Sequence, residues 1–299
     1  MQRQADSLYQ RKNCGLTLIE LLIAMLLSSV ILFTAYSLLN YQQHYFAQHQ
    51  QQVHLEQNKR FAQFVLSNAL HQAGYFGCRS LAHSKVTNHS KFDPTKLVAI
   101  FAYQAIGNSW LPTLPKEIKA KKGTDVLAII YEAPHTALLT IPMLNPTDNI
   151  TLHETSIFKT GDIAVMNDCD QADIFTISQI NGFKKQLHHT SALSKAYAQP
   201  TEVGQLLYYL FYIQPKNPND KDSADDLYVL DQSNIPEELV DHVDDLQLQF
   251  ATHDSPHNYV TANAIHNWLK VHSVEVELVL SSKNQATQNY SFITSLRNQ

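Results

Sequence analysis

Cys14-Gly15-Leu16-Thr17-Leu18-Ile19-Glu20, continuing through Leu21 to Leu39, decides how the rest of the chain is read. A short polar leader carrying Arg3, Arg11 and Lys12 precedes Gly15. After the glycine comes an apolar run of about 24 residues, long enough to span a bilayer as a helix. It holds one charge, Glu20, at the fifth position after Gly15. A carboxylate inside an apolar span costs about 2.5–3.5 kcal/mol on insertion scales, so a lone one marks a functional position.

Three readings compete. A cleaved secretory signal needs an apolar core of roughly 7–15 residues with a small-x-small cleavage site after it. This core is longer, and nothing of that kind follows Leu39. A plain signal anchor fits by length and by the basic residues on its cytoplasmic side, but leaves Glu20 unexplained. The third reading rests on Gly15-Leu16-Thr17-Leu18-Ile19-Glu20 itself. It resembles the Gly-(Phe or similar)-Thr-Leu-(Ile/Val)-Glu processing site of type IV pilins and type II secretion pseudopilins, with Leu16 in place of the usual Phe. The resemblance implies that a prepilin peptidase cuts between Gly15 and Leu16 on the cytoplasmic face and N-methylates Leu16. It implies that Glu20, one turn into the helix where negative charge suits the N-terminus, pairs with the terminal ammonium of a neighbouring subunit.

The chain has 299 residues and a formal net charge of −5, which implies neither a nucleic-acid-binding nor a polybasic membrane surface. Hydrophobic residues make up 44%, ample for a packed core. From Asn40 to Ala73 there is neither Pro nor Gly, and apolar residues recur at helical steps from Val53 onward. The pattern predicts one helix of about 58 residues, near 87 Å long at 1.5 Å per residue, that lays a Phe61–Phe64–Leu66 face onto a sheet. Gly74 is its expected stop.

Beyond the helix the chain reads as β. Strands are expected at Leu97–Ala105, Asp125–Tyr131, Ala137–Ile141, Asp162–Met166, Ile174–Ile180, Leu206–Ile213, Leu227–Leu230, Val243–Phe250, Val271–Leu280 and Tyr290–Leu296. Two alternate cleanly: Leu246, Leu248 and Phe250 with Gln247 and Gln249, and Val274, Val276, Leu278 and Leu280 with Glu275 and Glu277. A period of two predicts half-buried antiparallel strands. Glu237, Glu238, Asp241, Asp244 and Asp245 read as a charged helix or turn leading into a strand.

Four further segments narrow the family. Gln72-Ala73-Gly74-Tyr75-Phe76-Gly77-Cys78 is similar to the Ala-Gly-Tyr-x-Gly-Cys segment of PilW-type minor pilins. Asp168-Cys169-Asp170-Gln171-Ala172-Asp173-Ile174-Phe175 resembles that family's Asp-Cys-x-x-Ala-Asp-hydrophobic-Phe segment. Phe292-Ile293-Thr294-Ser295-Leu296-Arg297-Asn298 is similar to its C-terminal tail, and Gly123-Thr124-Asp125-Val126-Leu127 to its Gly-(Ser/Thr)-Asp opening of a strand.

The resemblance implies an α+β, type IV pilin-like fold: a long N-terminal helix, transmembrane in its first half, packed on an antiparallel β-sheet head with an enlarged C-terminal β region. The expected division is leader 1–15, transmembrane or filament-core half-helix 16–39, amphipathic half-helix 40–73, first part of a periplasmic head 74–214, polar loop 215–226 and C-terminal β part 227–299. Cys14 leaves with the leader. Cys78 and Cys169 remain in an oxidising compartment, where a disulfide is the natural reading; two buried free thiols are the alternative.

The expected function is a non-enzymatic minor pilin of the PilW type that helps initiate the type IV pilus, in a tip complex. The alternatives are a minor pseudopilin of a type II secretion system or a pilus-tip adhesin. Expected partners are other major and minor pilins, the prepilin peptidase and the inner-membrane assembly platform, with no nucleic acid directly implied. The expected location is the inner membrane, single-pass with a periplasmic head, then the extracellular filament tip. No phosphate-cradling glycine loop, Gly-x-Ser-x-Gly elbow or His-Glu-x-x-His helix occurs, and no cofactor or metal is expected. Asp168, Asp170 and Asp173 offer oxygen ligands for calcium but lack a full ligand spacing. Asp220, Asp222, Asp225 and Asp226 read as a solvated loop. His188, His189, His266 and His272 have no ligand spacing and read as surface or packed histidines.

Overall fold

The computed structural model describes residues 17–81, 85–93, 97–116, 118–216, 225–281 and 287–297. One α-helix, α1 (Leu18–Gln72), comes first. It is followed by β1 (Tyr75–Phe76), β2 (Arg79–Ser80), β3 (Lys85–Asn88), β4 (Ile100–Ile106), β5 (Ser109–Leu111), β6 (Val126–Ile141), β7 (Ile150–Leu152), β8 (Ile163–Asn167) and β9 (Gln171–Asn181). Then come β10 (Gln186–His189), β11 (Glu202–Pro215), β12 (Asp225–Leu230), β13 (Pro236–Val240), β14 (Val243–Thr252), β15 (Ser255–Thr261), β16 (Val271–Ser281) and β17 (Thr287–Ser295). The fold is α+β and, apart from a parallel β3–β9 pair, antiparallel among the described strands.

The chain divides into two compact units, residues 1–53 and 54–299. In the first, Leu18–Gln43 is long and apolar enough to cross a membrane. Its large side chains, from Leu18 and Ile19 through Leu38 and Leu39, are exposed. Three hydroxyls in this stretch turn back onto their own helix: Ser29 donates to the Leu26 carbonyl at 2.8 Å, Thr34 to Ile31 at 2.9 Å and Ser37 to Phe33 at 2.7 Å. Back-bonding of this kind satisfies these three hydroxyls without water.

In the second unit, the last five turns of α1 bury Ala62, Leu66 and Leu70, with Ala73 just beyond. These lie at steps of four and three, one stripe of a helix. The expected Phe61–Phe64–Leu66 face is corrected here: Leu66 is buried, but Phe61 is 48% and Phe64 62% exposed. The stripe is turned toward the alanines because small side chains let the helix backbone approach the sheet closely. Gly74 ends the helix at φ 72°, the left-handed conformation a glycine takes without a Cβ penalty.

β14 and β16 pair along nearly their whole length and are joined by β15 and β17 in the order β15-β14-β16-β17. Their alternate residues Leu246, Leu248, Phe250, Val274, Val276, Leu278 and Leu280 share one core with Ala62, Leu66 and Leu70. The larger sheet is more involved. β6 pairs with β11, β11 with β8, β8 with β9, β9 with β10, β10 with β7, and β7 again with β6. Those six strands form a closed ring. Its inward residues include Leu139, Ile150, Leu152, Met166, Phe175, Ile177, Leu187 and Val203, with Phe158, Leu193 and Tyr197 contributed by loops. The other halves of β6 and β11 extend out of the ring as an open sheet with β4 and β5 on one side and β12 and β13 on the other. Leu127, Ile129, Phe211 and Ile213 face the helix-side core, and Val126, Ala128, Leu210 and Tyr212 face a second one.

Two strand expectations change. Asp125–Tyr131 and Ala137–Ile141 are one strand, β6, interrupted opposite Gln205: Glu132 pairs with Leu206 and Thr136 with Gly204, so Ala133-Pro134-His135 bulges. A bulge is where a strand tolerates proline. Glu237 and Glu238, read with Asp241, Asp244 and Asp245 as a charged helix or turn, lie in the strand β13. β15 shows no apolar alternation and lies mostly exposed. Of the polar loop, residues 217–224 lie outside the described residues; β11 and β12 on either side of it pair antiparallel.

Candidate functional site

Glu20 stands in the first turn of α1, and its backbone N–H donates to the Thr17 carbonyl at 3.1 Å. Its side chain is exposed, as are the apolar residues that follow. Gly15 and Leu16, the residues of the expected cleavage and methylation, lie outside the described residues. An exposed apolar helix of this length is stable only in lipid or against other apolar helices.

In the second unit, Cys78 and Cys169 are joined by a disulfide, Cα to Cα 5.4 Å, that closes 91 residues of chain. Beneath it lies a buried polar cluster that the linear sequence does not announce. Asn167, two residues before Cys169, donates from Nδ2 to Glu132 Oε2 at 3.0 Å and Oε1 at 3.3 Å. Glu132 is fully buried on β6 at the bulge. Burial, then the nearby Glu202 carboxylate, pushes its carboxyl up to about 8, so it is mainly neutral at pH 7. Two glycines make room for it. A Cβ on Gly77 (φ 60°) would sit 2.6 Å from Asn167 Nδ2, and one on Gly204 would strike Glu132 Oε1. Gly77 is thus set by close approach as well as by its left-handed backbone. Tyr75 on β1 is raised as well, first by burial and then by Glu132 and Glu202.

The acidic residues near Cys169 serve separate partners. Asp168 Oδ1 accepts the backbone N–H groups of Asp170 at 3.3 Å and Gln171 at 3.2 Å, and its other oxygen pairs with Lys195. Burial alone would raise Asp168, but Lys195 and the backbone donors outweigh it and hold the carboxyl below its usual range. Asp173 is fully buried and accepts from Tyr197 at 3.0 Å and from the Ser194 backbone at 2.8 Å, with His89 Nε2 at 3.0 Å. It fastens two loops to the ring. Asp125, just before β6, accepts from Ala105 N near the end of β4 at 2.8 Å and from Leu248 N within β14 at 3.0 Å. Burial lifts it to about 6 against those donors. His189 bonds the carbonyls of Ser191 at 2.6 Å and Asp148 at 2.9 Å. Among the described residues no three His, Cys, Asp or Glu side chains gather as a metal site.

Sequence reasoning missed Glu132, Asn167 and Gly204. One signal was available: a glutamate closing the apolar run Leu127-Ala128-Ile129-Ile130, two residues before Pro134. A charge there needs a buried partner.

Residues 211–296, which hold β12 to β17 and most of the helix-side core, match the family described as Type IV Pilus-assembly protein W. Residues 10–36 match the prokaryotic N-terminal methylation motif. No curated protein and no solved structure matches the chain. The two family matches lie at opposite ends of the sequence and agree: in both stretches the chain is similar to PilW-type type IV pilins.

Proposed function

We propose that this minor pilin helps initiate assembly of the type IV pilus from a complex at the filament tip, and that it has a structural rather than catalytic role. The observation that carries the reading is the joining of a methylation motif at residues 10–36 to a PilW match at 211–296. A prepilin peptidase cuts after Gly15 and methylates Leu16; the assembly platform then extracts the apolar helix from the inner membrane. Glu20 is the only formal charge in the span, and its cost is offset when it pairs with the terminal ammonium of an adjacent pilin. The head faces the periplasm before assembly and the exterior afterwards. Its bulk fits a tip better than a repeating lattice.

A deletion strain scored together for sheared surface pili and for secretion of an exported hydrolase tests this. Loss of pili with normal secretion is expected. Normal pili with failed secretion would move the protein to a pseudopilus. Glu20→Ala should leave processing intact, seen as the normal gel shift, and yet remove the protein from sheared pili. Wild-type incorporation of that variant would sink the charge-pair argument.

A further inference from the structure

A free strand edge recruits other strands unless something blunts it, and soluble proteins blunt their edges with charge, proline, bulges or short length. Nearly every edge of this head is treated that way. β13 carries Pro236, Glu237 and Glu238 and a register break. β15 carries Pro256 and a register break. β5 has three residues and β3 four, beginning at Lys85. Among the described strands the exception is β17.

β17 runs Thr287-Gln288-Asn289-Tyr290-Ser291-Phe292-Ile293-Thr294-Ser295, without charge or proline. It pairs with β16 through nine successive residues, with no break in register. Among the described residues β16 is its only strand partner. Its inner face is anchored to α1: Tyr290 donates to Gln63 at 2.6 Å, and the Thr294 and Ser67 hydroxyls lie 3.1 Å apart. The strand is therefore held in place; His71 of α1 bonds the Ser295 carbonyl at 2.9 Å, and among the described residues the outer edge from Thr287 to Ile293 has no strand partner.

The solvent face beside that edge specifies what it takes. Ile293 is 58% exposed in a row with Glu275, and Ser291 stands in a row with Glu277 and Gln247. Asp245, Glu277, Asn289 and Ser291 line a groove of about 350 Å³ along these strands. Strands in a sheet are about 4.8 Å apart, so an added strand lies about two spacings from β16, within reach of a lysine or arginine. We propose that β17 is a strand-addition site that accepts an extended, charge-poor segment with a basic residue on its solvent face. Main-chain bonds to the edge give the affinity, and the Glu277 side of the sheet gives the preference for a cation. That the segment belongs to a fellow pilin rests on the function proposed above; the edge itself does not.

The test uses the full chain in detergent micelles and a fluorescent nine-residue peptide that alternates threonine and valine around a central lysine. The expected result is saturable binding with slowed amide exchange confined to 287–295. A central glutamate should bind at least fivefold more weakly, and Glu277→Gln should narrow that gap. Methylating the peptide nitrogens at alternate residues should abolish binding in one phase and spare it in the other, because only one set of amides faces the edge. No binding, equal sensitivity in both phases, or protection elsewhere on the chain would overturn the proposal. None of these outcomes depends on the deletion-strain phenotype.

Discussion

The four-stranded sheet β15-β14-β16-β17 and the six-stranded ring differ in what holds them. The sheet is stabilised by apolar alternation against one helix stripe, with Val274, Val276, Leu278 and Leu280 set against Leu66 and Leu70. The ring buries a smaller core and adds a covalent link, a neutral carboxyl and a fully buried aspartate at its seams. At these seams the buried polar groups satisfy one another, Asn167 with Glu132 and Asp173 with the Ser194 backbone and the Tyr197 hydroxyl. Apolar packing tolerates small changes in degree; polar seams fail at single atoms.

The largest expected effect is at the seam. Cys78→Ser opens the closure of 91 residues, and the chain-entropy account puts the loss at about 4–5 kcal/mol. An unchanged melting temperature in non-reducing buffer would remove the disulfide from the comparison.

Next is Glu132→Gln, which keeps shape but cannot ionise. The folded carboxyl holds its proton up to about pH 8, against an ordinary value of 4.5. Between those values the unfolded state has lost the proton and the folded state has not, so wild-type stability falls as pH rises through the window. The gap corresponds to on the order of 4 kcal/mol. The variant should match wild type near pH 4.5 and melt well above it at pH 8. Parallel melting curves across that range would show that the seam carries no such cost.

On the sheet side, Leu66→Ala should cost about 3 kcal/mol by denaturant unfolding, in the range for buried leucine. Phe64→Ala, one half-turn away and 62% exposed, should stay within about 0.5 kcal/mol. If the phenylalanine cost more than the leucine, the helix stripe would have to be redrawn.

The same contrast explains what was legible. β14 and β16 could be read directly because each buries one face, and Gly74 because a helix stop needs a positive φ. The motif from Gly15 to Glu20 is local and linear. The ring could not be read: β7 and β10 have three and four residues, too few for a period, and closure joins residues far apart in sequence. β6 looked like two strands because Ala133-Pro134-His135 breaks its alternation. The helix stripe was misjudged because phenylalanines look more apolar than alanines, whereas close packing selected Ala62 and Ala73. β13 looked like a turn because Glu237 and Glu238 are common at surfaces, and an edge strand is one place where they belong.

β11 has three strand partners, β6, β8 and β12. Its pairing with β6 joins Leu127 to Phe211 and Leu138 to Glu202, contacts far apart along the chain. The short strands β7 and β10 complete a ring that also needs that pair, and long-range pairing of this kind is slow to form. During synthesis the ring cannot close until β11 has emerged. For that interval β6 lacks its longest partner, and whatever shields it then governs the yield of folded protein.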